Sequence, residues 1–84
     1  MPKWYVYFLQ CNDLSLYCGI TTNLAARVVK HNKGLGSKYV AARLPARLVY
    51  SEVSENRSTA SKREYQLKQL SRTEKLQVIA NTFK

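Results

Sequence analysis

The sequence predicts one small α+β domain over residues 1–84, with its elements in the order ββα-loop-βαα. Three observations carry that reading. Aromatic and β-branched residues crowd into short runs near the start and middle of the chain. Apolar residues recur at three- and four-residue spacing in the segments between and after them. Asn, Asp, Gly and Ser fall at the junctions, where turns and helix caps need them. An 84-residue chain that is 45% hydrophobic has room for one modest core, and its composition excludes disorder.

Residues 4–10, Trp-Tyr-Val-Tyr-Phe-Leu-Gln, form the first predicted strand, and Leu16 to Thr21 the second. Cys11-Asn12-Asp13-Leu14-Ser15 supplies the turn between them, so a β-hairpin opens the fold. Alternation puts Tyr5, Tyr7 and Leu9 on one face of the first strand, and Tyr17, Gly19 and Thr21 on one face of the second. Whether the two faces coincide depends on a register that the sequence leaves open. Thr22 or Asn23 caps a helix running to about Asn32, with Gly34 as its stop. Residues 34–47 read as irregular, and Leu48 to Val53 as the third strand. Ser54 or Asn56 begins a helix to roughly Leu70. Ser71 and Glu74 make a capping box for the last helix, whose Leu76, Ile79, Ala80 and Phe83 share a stripe.

Charge narrows the partners. Fourteen Lys/Arg face five Asp/Glu, a net charge of +9, and residues 1–50 hold seven bases against Asp13 alone. Such a surplus attracts polyanions. No segment has the 18 or so apolar residues that span a bilayer, and no free amphipathic helix suits a lipid surface, so nucleic acid ranks above membrane. The start of the chain carries no secretory pattern, which predicts a cytoplasmic protein. In that setting Cys11 and Cys18 are expected as free thiols, Cys18 as a small buried side chain. One His and no paired-ligand spacing exclude a structural zinc site.

Two polar residues sit where burial should exclude them. Helical spacing aligns Leu24, Arg27, Val28 and His31, so Arg27 and His31 lie at or beside an apolar face. A snorkelling arginine and a satisfied half-buried histidine would explain both without any function. Ala60, Glu64, Leu67 and Ser71 align likewise, and Glu64 then needs a counter-charge. That partner is Lys68 at i,i+4, Arg63, or a divalent cation, which hard oxygen donors suit. The six tyrosines of the chain can pack a core or stack on bases just as readily as take part in chemistry.

In combination these segments resemble a known family. Tyr5-Val6-Tyr7 followed by Tyr17-Cys18-Gly19 is similar to the paired tripeptides of the GIY-YIG nuclease superfamily, with Tyr5 for the first Gly and Cys18 for the second Ile. Gly19 to Arg27 resembles that family's entry into its first helix, His31-Asn32 its close, and Ser61 to Lys68 its glutamate segment. Leu70 to Leu76 is typical of the small stand-alone YhbQ-like group.

The resemblance implies a single GIY-YIG domain with a three-stranded antiparallel sheet flanked by helices. It implies metal-dependent hydrolysis of DNA phosphodiesters, structure-guided or weakly specific, in repair or recombination. Tyr7, Tyr17, Arg27 and His31 would be catalytic. Glu64 would hold one Mg²⁺ or Mn²⁺, and Gly19 would allow close backbone approach. A tyrosine base would need Arg27 and the metal to favour its phenolate. Lys30, Lys33, Lys38, Arg43 and Arg47 would track phosphates of double-stranded, branched or single-stranded DNA. A protein partner would supply specificity. The competing expectation is a non-catalytic or partner-dependent nucleic-acid-binding module on the same fold.

Overall fold

The computed structural model describes residues 3–81. Strands β1 (Trp4–Gln10), β2 (Leu16–Thr21) and β3 (Arg47–Ser54) form an antiparallel sheet in the order β2-β1-β3. Helices α1 (Leu24–Asn32) and α2 (Lys38–Ala41) connect β2 to β3, and α3 (Arg57–Lys68) and α4 (Arg72–Asn81) follow. The predicted order holds. The stretch read as irregular contains α2, a single turn whose Val40 is driven inward by burial.

Register now joins the two faces that the sequence left separate. Tyr7 pairs with Gly19, Leu9 with Tyr17 and Tyr5 with Thr21. Residues directly opposite each other in an antiparallel pair point to the same side of the sheet. Tyr7, Leu9, Tyr17 and Gly19 therefore share one face, and Val6, Phe8 and Cys18 share the other. The pairing of β1 with β3 shifts between Phe8 and Leu9, where β3 carries an extra residue.

Each face has its own core. Tyr7, Leu9, Cys11, Val40 and Ala46 are buried together, with Tyr17, Leu24, Val28 and Leu44 packed against them. Across the sheet lie Val6, Phe8, Cys18, Ala60 and Leu67, joined by Ile20, Tyr50, Leu70, Val78 and Ile79. Both thiols are free and buried, one in each core. Burial pushes the Cys18 thiol up to about 12.

Local chemistry sets the boundaries. Asn23 caps α1 by accepting from the Ala26 amide at 3.0 Å, and Gly34 ends it at φ +80°. Asn32 donates to the Val28 and Ala46 carbonyls at 3.1 and 2.8 Å and accepts from the Ala46 amide at 2.9 Å. It thereby sews the residue that enters β3 to α1. Asn56, with Thr59, caps α3, and Ser71 and Glu74 form the predicted box at α4. On α4, Ile79 is half-buried, whereas Leu76 is 40% exposed and Ala80 faces solvent. Phe83, the fourth member of that predicted stripe, lies outside the described residues. Among the described residues no helix is long and apolar enough to cross a membrane.

Candidate functional site

The site grows from the mid-point of β1. Tyr7 leaves the central strand and lies across β2 above Gly19, where a Cβ would meet its hydroxyl oxygen at 2.6 Å and its Cζ at 2.8 Å. The room that glycine leaves is thus filled by the Tyr7 ring, a use of Gly19 that its spacing did not reveal. Beyond β2 the Tyr7 hydroxyl meets His31 Nε2 at 2.9 Å. His31 is 1% exposed. Its other ring nitrogen, Nδ1, is buried without a hydrogen-bond partner among the described residues. Gly36 presses flat against the same ring, with room for no side chain: a Cβ there would stand 2.5 Å from Nδ1.

Rings continue the path outward. Tyr17 stands edge-on to His31 with centroids 5.3 Å apart, and Tyr39 of α2 stacks on Tyr17 at 6.2 Å and 25°. Arg43 covers the outer face of Tyr39, its guanidinium carbon 3.8 Å from the ring centre. Asp13 of the hairpin turn accepts from Arg43 Nε at 3.1 Å, and the Tyr39 carbonyl accepts from Arg43 Nη1 at 2.9 Å. This makes a continuous brace from the turn to the tyrosines.

Helices on opposite faces contribute the charges. Arg27 of α1 is half-buried, and Glu64 of α3 has a side chain only 23% exposed. Both act on the Tyr7 hydroxyl, Arg27 favouring ionisation and Glu64 opposing it. Burial and the neighbouring Tyr17 outweigh Arg27, so Tyr7 is held well above the ordinary phenol range. The expected help of Arg27 toward a phenolate is therefore present but insufficient at Tyr7. Burial likewise lowers the His31 pKa, aided by Arg27 and Lys30, so the ring is neutral at pH 7. Glu64 pairs with Lys68 at 3.1 Å, the i,i+4 contact weighed from the sequence. Burial opposes the Lys68 charge, yet the bond to Glu64 keeps its pKa above the usual value. Arg63 turns away to Glu52 at 2.9 Å.

An open groove of about 310 Å³ follows the β2 edge, lined by Leu16, Tyr17, Cys18, Tyr39, Lys68 and Lys75. A larger cleft of about 420 Å³ lies over the α4 face, lined by Gln10, Arg47, Leu48, Val49, Leu76 and Ile79 among others. It holds none of Tyr7, Tyr17, Arg27, His31 or Glu64, whereas Tyr17 lines the β2 groove.

Predicted residues thus divide. Tyr7, Tyr17, His31 and Arg27 gather at the β2 edge, and Glu64 reaches it electrostatically from α3. Lys30, Lys33 and Lys38 are exposed on α1, just past its end, and on α2. Arg43 is committed to Asp13 and Tyr39, so it is a brace before it is a phosphate contact. Arg47 bonds Gln10 at 3.1 Å on β3, the strand at the other edge of the sheet. Gly36, Tyr39, Lys68 and Lys75 were not among the predicted site residues. Only the i,i+4 spacings of Tyr39 with Arg43 and of Glu64 with Lys68 signal any of them in the sequence.

For a divalent cation, the donor chemistry fits one mode of binding. Among the described residues no three His, Cys, Asp or Glu side chains cluster. The half-covered Glu64 carboxylate suits a hard cation that keeps most of its water and takes further oxygens from a substrate phosphate. An all-protein cage does not fit.

The chain is similar to known proteins along most of its length. A family model described as the GIY-YIG catalytic domain matches residues 3–77. A UPF0213 protein of Desulfotalea psychrophila is 53% identical over 75 residues, spanning 88% of this chain and 68% of that protein. One from Staphylococcus haemolyticus is 49% identical over 79 residues, spanning 94% of this chain and 96% of its relative. The solution NMR structure of a UPF0213 protein from Bacillus halodurans shares 41% identity and a TM-score of 0.60 over 93% of this chain and 83% of the other. That of a protein from E. faecalis gives a TM-score of 0.64 at 32% identity, covering 100% and 91% of the two chains.

Proposed function

This chain belongs to the GIY-YIG catalytic-domain family, and from that premise we propose that it is a metal-dependent endonuclease acting on DNA phosphodiesters in the cytoplasm. The substrate is double-stranded, branched or single-stranded DNA met in repair or recombination, recognised by its structure or through a protein partner. The observation that carries the reading is the convergence of Tyr7, Tyr17, His31 and Arg27 at one sheet edge, with the Glu64 charge acting on the same tyrosine.

Hydrolysis forms a bond from water to phosphorus, breaks the bond to the leaving oxygen, and moves one proton off the water. Before a cation is bound, burial and Tyr17 hold Tyr7 as a phenol. Its hydroxyl can take the water's proton while passing its own to His31 Nε2, 2.9 Å away. Neutral His31 is the acceptor this relay needs. The leaving oxygen takes a proton from solvent, and His31 later returns its own. Tyr17, half-buried at the groove, orients the water, and Arg27 offers its planar fork to the phosphoryl oxygens. A divalent cation held by Glu64, water and substrate would neutralise charge on those oxygens. Lys30, Lys33 and Lys38 would follow the flanking backbone.

Supercoiled, nicked, flapped and single-stranded DNA incubated with Mg²⁺, Mn²⁺ or chelator tests the reading. Metal-dependent cutting abolished by Glu64→Ala and by Arg27→Ala is the expected result. Binding that survives both changes, with no substrate cut, would instead establish a non-catalytic or partner-dependent binding module. The Lys68 ammonium already on Glu64 is the observation that favours that second reading.

A further inference from the structure

Glu64 has a side chain only 23% exposed, on a helix face that packs toward the sheet. A carboxylate so placed needs a counter-charge. Arg63, its neighbour in sequence, is engaged by Glu52 at 2.9 Å. Lys68, one turn on, supplies the ammonium at 3.1 Å. A second cation at the same oxygens would lie within a few ångströms of that ammonium, where like charges repel strongly. The two cannot share the site.

Lys68 is also built to leave. Its side chain is 51% exposed on a flexible four-carbon stem, and it lines the open groove beside Tyr17 and Lys75. Rotation about that stem disturbs none of the buried contacts, since neither core includes Lys68. We propose that Lys68 is the resting counter-ion of Glu64, exchanged for the divalent cation when the site is loaded, so that this lysine sets the metal concentration at which the protein responds. The inference rests on the reading of Glu64 as the metal ligand.

The test is Mn²⁺ uptake by the full chain at low ionic strength, followed through the spin-resonance signal of free Mn²⁺, with circular dichroism verifying the fold. Lys68→Gln is expected to lower the half-saturating Mn²⁺ concentration roughly two- to fivefold, the range of a partly exposed ion pair. Lys68→Arg keeps the pair and should stay near the wild-type value. Lys62→Gln removes the same formal charge from an exposed position two residues before Glu64 and should also change little. Glu64→Gln should abolish uptake. If Glu64→Gln abolishes uptake but Lys68→Gln does not tighten it, the exchange is overturned and the ligand reading survives. An equal gain in Lys62→Gln overturns it too, as a net-charge effect. If uptake survives Glu64→Gln, both the ligand reading and the exchange fall.

Discussion

The two faces of the sheet are built on different chemistry. On the α3 and α4 side, Val6, Phe8, Cys18, Ala60 and Leu67 close an apolar core, and the ionisable groups beside it, Tyr50, Glu52 and Arg63, bond one another at its half-buried margin. On the α1 and α2 side, the same strands bury Tyr7 against His31, whose Nδ1 has no hydrogen-bond partner among the described residues. The contrast teaches that the apolar core and the tyrosine–histidine pair are separated by the thickness of one sheet, while Glu64 joins from the α3 side. Strand alternation alone does the separating.

Core truncation should break the comparison most severely. Leu67→Ala is expected to cost about 2–5 kcal/mol in urea unfolding. Tyr7→Phe should cost about 1 kcal/mol while lowering DNA cleavage by at least about 100-fold. Equal stability losses in the two variants would erase the distinction between the faces.

Glycine substitutions sharpen it next. Gly19→Ala forces its Cβ into the Tyr7 ring and Gly36→Ala into His31, and each should destabilise by about 1–3 kcal/mol. Combining Gly19→Ala with Tyr7→Ala should give much less than the sum, because the clash disappears with the ring. Additive losses would mean that Gly19 matters for some other reason.

A subtler separation appears on acidification. The His31 pKa is lowered in the folded chain, so the unfolded chain binds the proton first as pH falls. The stability His31 contributes is complete above its ordinary value near 6.5 and is lost as pH drops from there through the folded value. Melting temperatures of wild type and His31→Gln between pH 7.5 and 5 should therefore converge, and parallel curves would refute the assignment. Smallest of all are the surface charges. Lys33→Gln is expected to reduce the salt dependence of DNA binding by about one counter-ion, and Arg47→Gln, on the opposite edge strand, by almost none.

Much of this was legible beforehand, for physical reasons. The α1 stripe of Leu24, Arg27, Val28 and His31 depends only on helical period, and it puts His31 on the apolar side as expected, though fully rather than half buried. The Ser71–Glu74 box acts within one turn and could be read directly, and Asn23 is one of the two caps, Thr22 or Asn23, that the sequence offers for α1. What escaped depends on contacts far apart in sequence. The Tyr7–Gly19 register joins residues across the hairpin, and the brace from Asp13 through Arg43 to Tyr39 joins turn and loop over 30 residues. Composition could mark Arg43 as a base, not as one already engaged. For Glu64 the sequence offered three partners, and the contact realised is Lys68.

The position of the site at the sheet edge has a consequence for solubility. Strand β2 has one neighbour, and the outer rim of such a strand is a template on which another chain can add itself. Here that rim faces a groove walled by Tyr39 and by the ammonium groups of Lys68 and Lys75. Positive charge along an exposed edge is one of the ways proteins discourage strand addition. The lysines of this groove would therefore also discourage neighbouring molecules of this protein from zipping onto the rim, and variants that strip them are expected to clump at high concentration.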